Sequence, residues 1–330
     1  MMSKPCKKIV NGLKKCVSFN HRIHYSVMPG LLILILLSLF ISESLSAKRQ
    51  GKIVILNSDM SISKYYLAHA EFKSKITNLE AEVDLGSKWI DEKGIKKMIR
   101  KIDPDIIYCV GSYAYQTAYK FARKKNLVFS LVINWRRLPM GKNTYGISNE
   151  LYQGMQLMMY RYFFPDVNNI GVVYNKVYNK EWFDTAVKSA KEVGIKIIGW
   201  PISEPDEVES ALNKLLPKVD ALWLTPDPTV IHDIESVKKI FKRSEATRKP
   251  VFAYNKAFTN YGATLIVSAD IGTMGRQAAG LVFNILADQK VTERVQNPAG
   301  SHITLNMKKI EEYGLNLNVE ALDSVNEIIK

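Results

Sequence analysis

From position 52 onward the chain alternates short β-branched apolar runs with longer amphipathic stretches. This pattern restricts it to α/β folds built from βαβ units, because a run apolar throughout suits a strand buried on both faces and the stretch after it suits a covering helix. The first series of strand candidates reads KIVILN (52–57), EAEVDL (80–85), DIIYCV (105–110) and LVFSLVI (127–133), with helices expected over 64–76, 93–102 and 113–124. A second series reads NIGVVYN (169–175), IKIIGW (195–200), DALWLT (220–225), PVFAYN (250–255) and ATLIVS (263–268), with helices over 151–164, 180–193, 206–216 and 231–243. Two doubly wound parallel-sheet lobes of similar size are expected, with the join at NTYGISN (143–149). A strong helix over 274–288 and a late ITLNM strand suggest a multi-crossover hinge: 48–146 plus 270–299 would form the first lobe, and 147–269 plus 300–330 the second.

Ahead of the lobes, residues 1–47 hold Lys4, Lys7, Lys8, Lys14, Lys15 and Arg22 against Glu43 alone. LLILILLSLFI (31–41) is apolar for 11 residues, well short of the roughly 20 that span a bilayer as a helix. With a basic stretch before it and Ser44, Ser46 and Ala47 after it, this segment reads as a signal peptide cleaved after Ser46 or Ala47, which would place the mature chain in the periplasm. Leu45 and the long basic region keep an uncleaved membrane anchor as the alternative. Cys6 and Cys16 fall in the leader, so the body holds Cys109 alone and no intrachain disulfide. Inside IIYCV that thiol is expected to be buried and inert.

Several chemistries find no support. No GxGxxG follows the first strand, where LNSDMS stands, and no GxxxxGK[ST] occurs, so neither a dinucleotide nor a nucleotide triphosphate cofactor is implied. SISK (61–64) matches the SxxK spacing of acyl-transfer enzymes without its KTG and SDN companions, and is read as a helix start capped by Ser61 or Ser63. His232 and Glu235 share a helical face but cannot complete a tetrahedral metal site, so a solvated face is expected. The net charge is +14, yet Lys and Arg are interspersed with acids as in VESALNKLLPK, and nucleic acid is not expected as a partner. A hydrolase is disfavoured for want of a nucleophile elbow, with only His69, His232 and His302 beyond the leader. A non-enzyme without metal or cofactor is the expectation.

What recurs is a polar or aromatic residue at the C-terminal end of one predicted strand after another, where open α/β sheets bind ligands. In the first lobe these are Asn57 and Ser58, Ser112 and Tyr113, and Asn134 and Trp135; in the second, Asn175 and Tyr178, Asp227, and Tyr254 and Asn255. Each alone suits a cap or turn. Together they are candidate ligand-binding residues facing one cleft.

PDIIYCVGSYAYQTA (104–118), NTYGIS, FPDVNNIGVVYN (164–175), KVDALWLTPD (218–227), RKPVFAYN, NYGATLIVSADIGTMGRQAAG (260–280) and the closing ITLNMKKIEEYGL give the chain a resemblance to ABC transporter substrate-binding proteins related to tryptophan- and tyrosine-binding proteins. That resemblance implies a type I periplasmic-binding-protein fold. It also implies a monomeric receptor that closes over a small molecule, an amino acid or similar polar or aromatic solute, and delivers it to an inner-membrane permease. A receptor that signals to a membrane partner is the alternative. Family roles would fall on Ser112, at a helix N-terminus facing an anionic group, on Asn175, and on Asp227 as a carboxylate for an amine. The chain departs from the family where NWRRLP follows the fourth strand in place of an Asp-Pro-containing loop. Arg136 and Arg137 there could favour an acidic ligand or stand as loop arginines with no ligand role.

Overall fold

The computed structural model of the chain describes residues 51–87 and 91–330. The leader, with its expected signal peptide or anchor, lies outside the described residues. Strand β1 (Ile53–Asn57) is apolar and wholly buried, as a strand covered on both faces must be. With β2 (Leu79–Asp84), β3 (Ile106–Val110), β4 (Asn126–Ser130), β5 (Thr144–Ile147) and the short β11 (Val295–Gln296) it forms a parallel sheet of order β11-β5-β4-β3-β1-β2. Helices α1 (Ser63–Lys73) and α8 (Ile271–Leu286) cover one face through Phe72, Met274 and Val282. The other face is covered by α2 (Glu92–Ile102) and α3 (Ser112–Ala122) through Ile95, Ile99 and Tyr115. Close packing of α1 on α8 depends on Gly275, where an added Cβ would stand 2.4 Å from the Ala68 carbonyl oxygen.

The second sheet holds β6 (Asn169–Asn175), β7 (Lys196–Ile202), β8 (Ala221–Trp223), β9 (Val251–Ala253), β10 (Leu265–Ala269), β12 (Ser301–Asn306) and β13 (Glu327–Ile329), in the order β13-β12-β10-β9-β8-β6-β7. Its strands β6 to β10 are parallel, whereas β12 runs antiparallel to β10 and β13 follows β12. The late strand β12 thus returns antiparallel beside β10, with β13 as the edge. Helices α4 (Gln153–Phe163) and α5 (Lys180–Glu192) pack on one face around the rings of Tyr160, Trp182, Trp223 and Phe252. Helices α6 (Glu207–Leu215) and α7 (Ile234–Ala246) pack on the other.

The chain passes between the two sheets three times: between β5 and α4, between β10 and α8, and between β11 and β12. The three passages are tied to one another. Ser148 N–H donates to the Gln296 carbonyl at 2.8 Å and Asp270 N–H to the Gly300 carbonyl at 3.0 Å. The Gln277 amide donates to the Asn297 carbonyl at 3.0 Å and accepts from Ala299 N–H at 2.9 Å. Both lobes belong to one compact unit running from Arg49 to Lys330.

One local expectation needs adjustment. Neither Ser61 nor Ser63 caps α1: Ile62 occupies the N-cap position, and the Ser61 hydroxyl donates instead to Asp59 at 2.6 Å. The preceding turn, whose N–H groups Asp59 and Asp84 accept, takes over the ordering of the helix start. Cys109 is buried in β3 with its thiol against the Ile107 carbonyl, and burial pushes its pKa up. Glu235 is paired with Lys238 at 2.7 Å, and among the described residues no group of three or more His, Cys, Asp or Glu side chains could hold a metal ion.

Candidate functional site

The turn from β3 into α3 is set by Gly111. Its φ of 88° lies in the left-handed region, and an added Cβ would stand 2.5 Å from the Ser58 hydroxyl oxygen. That closeness lets Ser58 Oγ accept from Ala114 N–H at 3.0 Å, so a first-turn donor of α3 is satisfied from within the lobe. Ser112 Oγ accepts from Ile133 N–H at 3.0 Å and so anchors the segment after β4. The Asn57 side chain accepts from Asp59 N–H and donates to the Tyr65 carbonyl. Tyr113 is exposed. Asn57, Ser58 and Ser112 shape the rim of the first lobe by bonding to their own lobe.

The segment after β4 is the part of that lobe which reaches across. It ends the strand at Ser130, three residues earlier than its apolar run suggests, because Leu131 and Asn134 both have left-handed backbones, with φ of 58° and 52°. Such conformations cost of order 1–3 kcal/mol each in residues other than glycine and persist only where the surroundings enforce them. The Tyr115 hydroxyl, donating to the Pro139 carbonyl at 2.5 Å, fixes the far end of the loop. Trp135 packs at its base near Phe129, with its indole nitrogen buried and unpartnered.

Arg136 and Arg137 project from this loop. The Arg136 guanidinium lies 4.6 Å from the centre of the Trp135 ring and donates to Glu150, in the first crossover, at 2.6 Å. Arg137 stacks over Tyr178 of the second lobe at 4.0 Å, with Nη2 3.8 Å from Asp227 Oδ1. Asp227 is fully buried at the turn after β8. Its Oδ2 accepts from Asn175 N–H at 2.6 Å and from the Asn179 amide, and its Oδ1 accepts from Thr229 N–H at 2.9 Å. The carboxylate expected to face a ligand amine is thus occupied by its own turn and by Arg137. Asn175 braces the same turn, donating to Thr229 at 3.0 Å and accepting from Val177 and Tyr178 N–H.

Between the lobes lies an outer compartment, and adjoining it, walled by the first crossover and the second lobe, an inner one. The outer one is lined by Asn134, Arg136 and Arg137 from the first lobe and by Tyr178, Asn179 and Trp182 from the second. The inner one is walled by Asn149, Leu151, Gln156, Trp223, Tyr254 and Val267. Glu150, Trp182, Thr225 and Pro226 border both. Each compartment has room for little more than a water molecule, and Arg136 and Arg137 stand in the wall of the outer one. Burial, assisted by the Asp227 charge, pushes the Tyr254 phenol up to about 12. Asn255, next to it, is exposed and accepts from Ala257 N–H as the cap of a short helical turn.

Of the candidates read from the sequence, the structure gathers Asn134, Tyr178 and Tyr254 at the cleft, sets Trp135 and Asp227 directly behind it, and leaves the others in turns of their own lobes. Asn149, Glu150, Trp182 and Thr225 line the cleft without having been singled out. Glu150 and Asn149 sit in the first crossover, which strand-end reasoning does not reach; Trp182, in the first turn of the helix after β6, would have been found by following each strand one helical turn further.

Residues 67–329 match the family model of ABC transporter substrate binding proteins. A tyrosine-binding protein of Clostridioides difficile is 22% identical over 230 residues, 67% of this chain and 63% of that protein. Among solved structures, the ligand-free, open form of a substrate binding protein with adhesive properties from Clostridium difficile aligns over 85% of this chain and 99% of its own, with a TM-score of 0.65 and 18% identity. An ABC domain in complex with L-Trp from Streptococcus pneumonia aligns over 84% and 99%, with a TM-score of 0.55 and 17% identity. With four-fifths of its length inside the family model, and two parallel-sheet lobes facing across a cleft, the chain belongs to the ABC transporter substrate-binding proteins.

Proposed function

We propose that this protein works outside the cytoplasm, closing its two lobes over an aromatic amino acid and presenting it to the membrane permease of an ABC transporter. The observation that carries this reading is the cleft itself: charged groups of both signs stand at its mouth and tryptophan and tyrosine rings line its depth. An amino acid is the small molecule with that polarity. Its carboxylate would be received by Arg137, its ammonium group by Glu150, and its ring by Trp182 and Tyr254. Asn134, Trp135 and Tyr178 would complete the contacts, with Asp227 and Asn175 holding Arg137 in reach. The names of the tyrosine-binding relative and of the L-Trp complex support the same ligand class.

Closure follows from differential affinity. A ligand that touches both lobes stabilises the arrangement in which they meet, and the three crossover passages supply the hinge. A thermal-shift screen of the purified chain against amino acids, sugars, nucleosides and organic acids tests the proposal, because a ligand bound only by the folded state raises the melting temperature with its concentration. Tryptophan or tyrosine should give the largest rise. A rise with sugars or nucleosides alone would replace the aromatic amino acid with another ligand.

A further inference from the structure

Four described side chains carry a buried polar atom with no hydrogen-bond partner: the Trp135 indole nitrogen, the Asn149 side-chain oxygen, and the hydroxyls of Thr264 and Thr304. Only Asn149 among them lines the inner compartment. The neighbouring polar side chains are already engaged. Gln156 donates to the Leu151 carbonyl at 3.0 Å and accepts from the Tyr160 hydroxyl at 3.3 Å, while Glu150 accepts from Arg136 at 2.6 Å. Apart from Thr225 and the Tyr254 hydroxyl, the remaining walls are apolar or aromatic, among them Trp182, Trp223 and Val267. An acceptor buried without a partner is costly to leave so, and it is a common mark of a site completed by something else.

We infer that Asn149 is a specificity-determining residue which reads a hydrogen-bond donor on the side chain of the bound amino acid, so that phenol- or indole-bearing ligands are selected over a plain phenyl ring. The inference rests on the proposed amino-acid ligand and adds the end of the side chain that is recognised. The placement of the residue favours it. Asn149 lies in the crossover between β5 and α4, directly between Ser148, which bonds to the first sheet's edge at Gln296, and Glu150, which takes the arginine contact. One wall of the inner compartment is therefore crossover, the others belonging to the second lobe, so a shift of the crossover widens it to admit a ring and its return brings the Asn149 oxygen to the ring's far edge. A site built around a donor rejects an analogue that lacks it far more strongly than an apolar pocket rejects a change of size, because the buried acceptor is again left unpaired.

Calorimetric titration of the purified chain with L-tyrosine, L-tryptophan and L-phenylalanine tests this, together with Asn149→Leu, which keeps the shape and removes the acceptor, and Asn149→Asp, which keeps an acceptor. Unaltered protein should bind tyrosine or tryptophan at least about tenfold more tightly than phenylalanine. Asn149→Leu should bring the three ligands to within about threefold of one another, mainly by weakening the donor-bearing ones, and Asn149→Asp should keep the preference. Equal affinity for phenylalanine in the unaltered protein, or an unchanged preference in folded Asn149→Leu, would overturn the inference while leaving the amino-acid reading in place. Failure of all three ligands to bind the unaltered protein would overturn both. Should Asn149→Leu not fold, Asn149→Ala, which also removes the acceptor, takes its place with the same expected loss of preference.

Discussion

Arg137 of the first lobe and Asp227 of the second face each other across the cleft, with Nη2 3.8 Å from Oδ1 and the guanidinium over Tyr178, 4.0 Å from the ring centre. The two ends of this pair differ in kind. Asp227 is wholly buried and held by three further donors, whereas the Arg137 side chain is 29% exposed and hangs from a loop with two left-handed residues. A fixed anion therefore positions a movable cation at the mouth of the site.

Removing the cation should affect binding and spare the fold. Arg137→Gln keeps the length of the side chain and loses the charge, while Asp227 retains its other partners. Ligand affinity is expected to fall roughly five- to thirtyfold, the effect of one or two kcal/mol, with the denaturant midpoint almost unchanged. Titration of the variant with tyrosine beside urea unfolding checks both halves; an unchanged affinity would leave Arg137 as a loop arginine without a ligand role.

Removing the anion should do the reverse in the first instance. In Asp227→Asn one end of the amide becomes a donor and meets either Asn175 N–H and the Asn179 amide, or Thr229 N–H. A buried donor facing a donor should lower stability by about 1–3 kcal/mol, read as an earlier unfolding midpoint. Any loss of affinity would follow through the displaced Arg137. A variant as stable as the unaltered chain would show that the turn does not need this carboxylate.

Much of this architecture was legible as pattern. NIGVVYN is β6 residue for residue, and the helices over 180–193 and 206–216 differ from α5 and α6 by a residue at the ends, because apolar periodicity is the imprint of burial. Short β11 and β13 were not legible, since their residues are only partly buried or exposed and their pairing is decided by neighbours distant in sequence. The early end of β4 was hidden for another reason: Leu131 and Val132 are buried and apolar like strand residues, and only the backbone turn at Leu131 separates them from the sheet. At the site, strand-end reasoning named Tyr178 and Tyr254, which line the cleft, and Asp227, which stands behind it 3.8 Å from Arg137. Which acceptor a cation meets depends on the distance between lobes, which no local pattern encodes.

Gly111→Ala tests the rim of the first lobe. The added methyl meets the Ser58 hydroxyl and the backbone is held at a φ of 88°, so a loss of about 1–3 kcal/mol is expected on unfolding. Gly280, in α8, has open space around its Cβ position and serves as the control: Gly280→Ala should stabilise by about 0.4–1 kcal/mol. Equal effects at the two positions would contradict the strain assigned to Gly111.

The hinge should carry an acid-sensitive contribution. Burial alone would raise the pKa of Asp270; the hydrogen bonds from Thr273, with the charge of Arg276, outweigh it and hold the group below its ordinary 3.8. A depressed folded-state pKa means stability that is present in full above the unfolded value and lost as pH falls through the folded one. Asp270→Ala, which removes the cap of α8, should cost about 0.5–2 kcal/mol at neutral pH and progressively less as the pH drops below about 4. Parallel unfolding curves for variant and unaltered chain at neutral and acid pH give the comparison; a difference independent of pH would assign the effect to something other than the carboxylate's charge.

The most direct test of the central claim, that the two lobes close over an aromatic amino acid, is isothermal titration of the purified chain with L-tyrosine and L-tryptophan at several temperatures. Binding of one ligand per chain, micromolar or tighter, with an enthalpy that becomes more negative on warming, is the predicted result, because ring and lobe surfaces leave water together. Absence of saturable heat with either amino acid, from a chain that unfolds cooperatively, would contradict it.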